Sequence, residues 1–336
     1  MTKHPCHDTR ILEWFLARHG LADAERRPLA GDASTRRYQR LIPKEGRSLI
    51  LMQAPDPALE LVPFIVVAER LRTLGLSVPD IHAVSPDDGL MLLEDFGDAS
   101  FTLALDQGAD PGPLYRLAVD VLIQVHRSPP PQPDATWHPP VFDAERFLSQ
   151  AHLFVDMLVP GADEAAYTAF ETAWRSVLPG ALERPTLLLR DYHAGNLMHL
   201  PDRPGVAACG LLDFQDAGIG PAVYDLVSLI EDARRDLSPS LAASLIDQYL
   251  AAFPDLDREA FARGWAVLAA LRHSRVIAVF LRLAERGKPG YLGHLPRVWR
   301  TLEGHLAHPG LAPVAAWIDR YLPAQARAGS FIAEAT

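Results

Sequence analysis

The pattern of apolar and polar positions divides the chain into a strand-rich beginning and a mainly helical remainder. After an amphipathic helix over residues 9–18, short apolar segments bounded by turn residues predict five strands. A 3.6-residue apolar period over residues 57–74 predicts one long helix among them. The predicted strands cover residues 27–30, 36–42, 48–52, 78–84 and 90–93. This pattern favours a five-stranded antiparallel sheet accompanied by one main helix.

Beyond residue 96 most apolar residues follow a helical period. Two short apolar segments, residues 186–189 and 209–212, instead predict buried strands. The predicted helices cover residues 101–106, 113–126, 143–158, 164–178, 224–235, 241–253, 258–286, 295–307 and 313–321. We therefore predict an α+β chain with two domains, residues 1–95 and residues 96–336.

Composition excludes several classes of protein. A chain of 336 residues with 49% hydrophobic content is long enough for two cores, and its net charge of −10 disfavours binding to nucleic-acid backbones. Its only cysteines, Cys6 and Cys209, support neither a disulfide framework nor a zinc site. The first residues lack a signal-like apolar core, and no apolar run approaches the roughly 20 residues needed to cross a bilayer. We expect a cytoplasmic monomer without nucleic-acid or membrane partners.

Three polar residues are placed where the two predicted strands of the second domain end. Asp191 follows the first strand, Asn196 comes five residues later, and Asp213 follows the second strand. Phosphoryl transfer needs a base beside the attacking hydroxyl and hard oxygen ligands that hold Mg²⁺ against nucleotide phosphates. The spacing predicts Asp191 as the catalytic base and Asn196 and Asp213 as magnesium ligands, with ATP as phosphoryl donor.

Around these residues the chain resembles the aminoglycoside phosphotransferase and choline kinase-like family in the segments RDYHAGNLM and LLDFQDAGIGPAVYDL. The resemblance implies a protein-kinase-like bilobal fold, with a small N-lobe and a large, mostly helical C-lobe. Further segments resemble bacterial kinases that phosphorylate the anomeric hydroxyl of N-acetylmuramate and N-acetylglucosamine in peptidoglycan recycling. These segments are GDASTRRY, LLLEDFGD and RHSRVIAVFLRLAERGKPGYL.

The nucleotide side of the predicted site begins at the turn that contains Gly31, Ser34 and Thr35. Small residues let backbone amides approach a phosphate and the two hydroxyls can donate to it, although an ordinary polar hairpin turn explains the turn equally well. The resemblance also implies that Glu94 C=O and Phe96 N–H bind the adenine edge. The turn at Gly31 can therefore be interpreted either as a phosphate-covering loop or as an ordinary hairpin turn.

The third strand departs from the family pattern. Kinase-like folds place a phosphate-binding Lys there, whereas this chain has Met52 and Gln53 at that position. Another cation replaces the Lys, with Arg36, Arg37 and Lys44 as candidates, or phosphate binding depends more on Mg²⁺ and backbone amides. We take Arg36 as the predicted nucleotide ligand.

The predicted substrate residues lie near the catalytic segment and on the long helix. His193 and Gln215 each neighbour a catalytic Asp and could bind sugar hydroxyls, although His193 could instead brace the loop. Arg272 and Arg275 are one helical turn apart and could bind the lactyl carboxylate of N-acetylmuramate. An exposed basic strip is the alternative for this pair.

Two acidic residues have predicted supporting roles. The resemblance implies that Asp225 braces the catalytic loop by accepting backbone hydrogen bonds, and helix N-capping is the competing interpretation. Glu69, on the predicted helix of the first domain, would pair with one of the arginines or remain an exposed surface residue.

Three other functions remain open from the sequence. A kinase of the same fold acting on an aminoglycoside, a choline-like alcohol or a hydroxy amino acid would keep the catalytic residues and change the substrate pocket. A non-catalytic nucleotide-binding regulator would account for the missing Lys, but such proteins usually lose catalytic residues as well. A metal-dependent hydrolase would need additional His and carboxylate ligands.

Overall fold

The structure, a computed structural model, describes residues 9–29, 36–322 and 327, with the side chains of residues 57–60 left out. The chain forms two compact units. Unit one contains residues 1–117, 133–138 and 195–217, and unit two contains residues 118–132, 139–194 and 218–336. The predicted domain boundary between residues 95 and 96 stays a prediction.

The described residues contain strands in both units. In chain order the strands are β1 (Glu25–Pro28), β2 (Arg37–Ile42), β3 (Leu49–Gln53), β4 (Ile81–Ser85), β5 (Leu90–Glu94), β6 (Pro185–Leu188), β7 (Leu197–His199), β8 (Cys209–Leu211) and β9 (Gly218–Pro221). The first five form one sheet in the order β1-β2-β3-β5-β4, and every neighbouring pair is antiparallel. The five-stranded antiparallel sheet predicted from the sequence is confirmed.

Helices make up most of unit two. In chain order the helices are α1 (Thr9–Arg18), α2 (Pro57–Thr73), α3 (Phe101–Asp106), α4 (Pro111–Arg127), α5 (Ala144–Leu158), α6 (Glu164–Val177), α7 (Val223–Ile230), α8 (Pro239–Ala252), α9 (Arg258–Glu285), α10 (Leu295–Leu306) and α11 (Ala312–Tyr321). No helix among the residues described combines the length and the apolar content needed to cross a membrane.

In unit one, α1 packs against the sheet through a small apolar cluster. Phe15 and Leu16 of the helix meet Leu41, Leu51 and Leu92 of three strands, and all five side chains are buried. Burial of side chains of this size stabilises a fold by roughly 1.5–3 kcal/mol each. This cluster attaches α1 to one face of the sheet.

The hairpin of β7 and β8 also belongs to unit one. The Leu211 N–H donates to the Ser77 carbonyl at 2.8 Å, and Ser100 forms a bridge with Met198, so that the segments just before β4 and just after β5 hold the hairpin. Strands β7 and β9 were missed by the sequence analysis because neither has a run of apolar side chains like those of β6 and β8: β7 reads LMH, and β9 reads GIGP.

Unit two is built around α9, a helix of 28 residues that packs against α5, α7 and α10. Its first turn is capped by Asp257, whose Oδ1 accepts the N–H groups of Glu259 and Ala260 at 2.8 and 3.0 Å. The predicted helix over residues 224–235 was too long, since α7 ends at Ile230 and the Arg234 N–H donates to Asp232 Oδ1 in the turn that follows. Helix α7 packs against α9.

Candidate active site

The β7–β8 hairpin brings two of the predicted site residues together in unit one. Asn196 immediately precedes β7, and Asp213 lies two residues after β8. Leu197 pairs with Leu211, and beyond that pair the Leu212 N–H donates to the Asn196 carbonyl at 3.0 Å. The carboxamide and the carboxylate therefore come from the same end of one hairpin. Both supply the oxygen donors that Mg²⁺ prefers.

The carboxylate of Asp213 is held by two neighbours. Its Oδ1 accepts hydrogen bonds from Arg36 Nη2 at 2.8 Å and from Gln215 Nε2 at 2.9 Å. Asp213 also has a φ of +56°, a backbone conformation that non-glycine residues adopt rarely and that clusters at functional sites. The side chain is 41% exposed, which leaves the carboxylate accessible to an ion. Its donor type and its accessibility both fit a magnesium ligand.

Arg36 is distinguished from the other two candidate cations by its position. Arg37 pairs with Gln53 in the sheet, so Arg36 lies at the end of β2 beside the position where the Lys was expected. The Arg36 side chain is only 8% exposed and contacts Asp213, whereas Arg37 and Lys44 are exposed. A nucleotide-binding role for Arg36 stays a prediction.

The side chains of the predicted adenine-binding segment are fixed within unit one. Arg203 forms an ion pair with the Glu94 carboxylate, and its guanidinium lies 5.0 Å from the centre of the Phe96 ring. The ring packs against Gly210, where an added Cβ would lie 2.8 Å from Phe96 Cε2. The adenine contacts of Glu94 C=O and Phe96 N–H stay predictions.

Two other predictions on the nucleotide side have different outcomes. Gly31, Ser34 and Thr35 lie outside the described residues. Glu69 is exposed on α2 and forms no ion pair with any residue that the structure describes. The expected pairing of Glu69 with a nearby arginine is therefore not observed, since Arg36 contacts Asp213 instead.

In unit two, Asp191 follows β6 after a backbone turn that Asp225 holds. The Asp225 carboxylate is fully buried and accepts the N–H groups of Leu189 at 2.6 Å and Arg190 at 2.7 Å. Helix α7 begins at Val223, so Asp225 lies inside the helix and is not its N-cap. The contacts are those of a carboxylate that braces the loop.

The charges around Asp191 keep it ionised. Burial raises its pKa, but the positive charges of Arg190, Arg275 and Arg272 outweigh that effect and hold it below the ordinary value. An ionised carboxylate at neutral pH can accept a proton.

His193 also favours its deprotonated form, which for an imidazole is the neutral one. Burial lowers its pKa, and the neighbouring cations Arg234 and Arg272 lower it further against the opposing effect of Asp232 and Asp191. A neutral imidazole can both donate and accept hydrogen bonds, as a ligand for hydroxyl groups must.

The two arginines of α9 differ in their surroundings. Arg272 is 5% exposed, and its Nε donates to Ser228 Oγ at 2.7 Å, while Arg275 is half-buried. The exposed basic strip considered from the sequence is therefore wrong for Arg272. Its contact is to a serine of the protein, and substrate binding by either arginine stays a prediction.

A polar cluster that the sequence analysis missed lies beside these residues. Glu231 Oε2 accepts hydrogen bonds from His273 Nε2 and His305 Nε2, both at 2.8 Å, and Glu231 Oε1 accepts one from Trp265 Nε1 at 2.7 Å. Burial raises the pKa of Glu231, but the two histidines hold it well below its ordinary value. The two His nitrogens and a Glu oxygen lie within 4.8 Å of one another, a set that could ligate a metal ion. Hydrogen bonds already satisfy the carboxylate, and no sequence spacing links residues so far apart.

Comparison with protein families gives one match over most of the chain. The model of the phosphotransferase enzyme family matches residues 25–271. A protein of Caulobacter vibrioides named N-acetylmuramate/N-acetylglucosamine kinase is 38% identical, with 93% of this chain and 96% of that protein aligned. A protein of the same name from Pseudomonas aeruginosa is 33% identical, with 86% of each chain aligned.

Solved structures share the fold at low sequence identity. Choline kinase LicA from Streptococcus pneumoniae superposes with a TM-score of 0.62 at 14% identity, covering 91% of this chain and 99% of that one. The GDP complex of wild-type aminoglycoside 2'-phosphotransferase-IIIa gives a TM-score of 0.62 at 16% identity, covering 88% and 98% of the two chains. These similarities show a protein-kinase-like fold.

Proposed function

The chain belongs to the phosphotransferase enzyme family, and from that premise we propose that it transfers a phosphoryl group from ATP to the anomeric hydroxyl of N-acetylmuramate and N-acetylglucosamine. The sugar 1-phosphate would enter peptidoglycan recycling in the cytoplasm. The substrate class is supported by the names of relatives up to 38% identical over nearly the whole chain. The observation that carries the proposal is the hairpin that joins Asn196 and Asp213, since it presents two oxygen donors together.

The metal-binding part of the proposal assigns Asn196 and Asp213 as ligands of Mg²⁺. An amide oxygen and a partly exposed carboxylate are suitable donors for this ion. When bound, magnesium neutralises charge on the phosphates during transfer. Arg36 holds the Asp213 carboxylate in position, and we propose that it also supplies the positive charge that kinases usually obtain from a Lys.

The nucleotide would be bound by three further groups of the chain. Glu94 C=O and Phe96 N–H would pair with the adenine edge, and the turn of Gly31, Ser34 and Thr35 would cover the phosphates. The ion pair and the ring contact of Arg203 keep the Glu94 and Phe96 side chains in place, and this rigidity supports the assignment.

On the acceptor side, Asp191 would orient the attacking sugar hydroxyl and accept its proton. A loose transition state needs little base strength, and an anomeric hydroxyl is more acidic than an ordinary alcohol. The lowered pKa of Asp191 supports this role because the carboxylate is ionised at neutral pH.

The remaining sugar contacts would come from His193, Gln215 and Arg275. Gln215 already donates to Asp213, and its buried Oε1 has no hydrogen-bond partner among the residues described. That oxygen can accept a hydrogen bond from a sugar hydroxyl. Arg275 carries the charge that a lactyl carboxylate requires.

The proposal is tested with a panel of acceptors and ³¹P NMR of the products. N-acetylmuramate and N-acetylglucosamine should give a phosphorus signal coupled to the anomeric proton, whereas glucose, choline and kanamycin should not be phosphorylated. Phosphorylation of choline or kanamycin alone would replace the sugar assignment with one of the other alcohols.

Variants test the roles of the two aspartates. Asp191→Asn should lower kcat about 100-fold or more with unchanged nucleotide binding, as expected for loss of a general base. Asp213→Ala should abolish binding of Mg-ADP in calorimetry. Asp202→Asn, at an exposed aspartate of unit one, is the matched control for Asp213→Ala and should behave as wild type. Full turnover by Asp191→Asn would remove Asp191 as the base.

A further inference from the structure

The backbone immediately before Asp191 is held in an unusual conformation. Arg190 has a φ of +72°, in the left-handed region that costs a non-glycine residue on the order of 1 kcal/mol. Such a conformation persists only where surrounding groups hold it. Since it sets the direction in which the chain enters Asp191, groups that bind the Arg190 peptide also position the Asp191 carboxylate.

Two residues of α7 bind the Arg190 backbone from both sides. Asp225 accepts its N–H at 2.7 Å, and the hydroxyl of Ser228 donates to its carbonyl at 3.4 Å. Asp225 and Ser228 are three residues apart, so they share one face of the helix. The Ser228 contact is long, and its strength therefore depends on how firmly the hydroxyl is oriented.

Arg272 provides that orientation from α9. Its Nε donates to Ser228 Oγ at 2.7 Å, and both side chains are buried. A hydroxyl can accept one hydrogen bond while donating another, and a charged donor on its oxygen makes the O–H a stronger donor. The contacts form a continuous series from Arg272 through Ser228 to the carbonyl of Arg190.

We propose that Ser228 and Arg272 are positioning residues for Asp191, and that Arg272 acts through Ser228 instead of binding the substrate carboxylate. This inference rests on the proposed function of Asp191 as the base. The next turn of the same interface is held separately, because Glu231 accepts a hydrogen bond from His273. Removing the Ser228 hydroxyl therefore weakens the series without detaching α7 from α9.

Ser228→Ala tests the inference, and Ser274→Ala is its matched control. Ser274 is also fully buried, but its hydroxyl donates to the Ala270 carbonyl within α9. Ser228→Ala should lower kcat about tenfold or more, because small displacements of reacting groups are costly, while the Kd of Mg-ADP stays within about twofold. Ser274→Ala should leave kcat unchanged. Equal kcat values for the two variants would overturn the inference.

A second pair of variants separates positioning from substrate binding. Arg272→Met, which removes both the positive charge near Asp191 and the Nε donor to Ser228, should lower kcat with little change in the KM of N-acetylmuramate. Arg272→Lys should recover only part of the loss, because it restores the charge but lacks the Nε donor. A raised KM with normal kcat would instead make Arg272 a substrate ligand and overturn the inference.

Further variants distinguish failure of the positioning inference from failure of the proposed role of Asp191 as the base. If Ser228→Ala is less stable than Ser274→Ala, Ser228→Cys fills the same space with a weak hydrogen-bonding group and should show the same loss of kcat. Full activity of Asp191→Asn would remove the base itself. Inactive Asp191→Asn together with normal Ser228→Ala and Ser228→Cys would overturn only the positioning inference.

Discussion

Replacing Asp225 with Asn is the most direct perturbation of the catalytic loop. The carboxylate is fully buried and accepts two backbone N–H groups at 2.6 and 2.7 Å. Asparagine keeps the shape but places an N–H₂ group against one of these donors and removes the negative charge from both hydrogen bonds. A hydrogen bond to a charged group contributes about 1.5–3 kcal/mol. We therefore expect Asp225→Asn to lower the free energy of unfolding by about 2–4 kcal/mol.

The same substitution should affect turnover more than it affects binding. Arg190 would no longer be held at a φ of +72°, and Asp191 would lose its fixed orientation. A misplacement of about 1 Å at a reacting group can cost on the order of 100-fold in rate. Nucleotide affinity should change little, because the two amides that Asp225 accepts belong to Leu189 and Arg190, before Asp191, and not to the proposed magnesium ligands.

The assay combines urea unfolding with amide hydrogen exchange and steady-state kinetics. Exchange at Leu189 and Arg190 should accelerate in Asp225→Asn, since these two amides lose their acceptors. Asp257→Asn is the control, because Asp257 Oδ1 also accepts two backbone N–H groups but is exposed, so its replacement should change stability only slightly and kcat not at all. A loss below about 1 kcal/mol with unchanged exchange would refute the calculation for a buried charged acceptor.

Two further predictions concern packing and pH. Gly210→Ala places a Cβ 2.8 Å from Phe96 Cε2, so it should lower the free energy of unfolding by about 1–3 kcal/mol and raise the KM of ATP. Gly304→Ala, in open space on α10, is the control and should change neither quantity. Equal KM values for the two variants would contradict a role for the packing of Gly210 against Phe96 in ATP binding. Burial lowers the pKa of His273 more than Glu231 raises it, so below about 6.5 the unfolded chain binds more protons and stability falls as the pH falls. His273→Gln should flatten this fall in urea titrations between about pH 6.5 and 5, and an unchanged slope would show that the folded imidazole is protonated.

Local sequence patterns predicted the fold class and most of the elements. Apolar periodicity over five or more residues depends on which face of a strand or helix is buried, and it located β2, β3, β4, β5, α2 and the long α9. The prediction placed β1 two residues too late and missed β7 and β9, because these short strands have few apolar side chains. It also extended α7 past Ile230, because the hydrogen bonds of a turn leave no periodic signal.

The sequence led to a prediction of the site's chemistry where the candidate groups are close along the chain. Asp191, Asn196 and Asp213 follow predicted strands at a spacing that phosphoryl transfer requires, and this order is a property of the chain alone. The family match over residues 25–271 agrees with that interpretation.

Only the tertiary structure decided which side chains support these residues. Arg36 contacts Asp213 across 177 positions of sequence, and Arg272 meets Ser228 across 44. Glu231 directly follows α7, whereas His273 lies on α9 and His305 on α10. Such contacts depend on how helices and hairpins pack, and a hydrogen bond leaves no pattern in the sequence around either partner. The sequence alone therefore determined the order of elements and which groups are predicted to react, whereas packing determined what holds those groups in place.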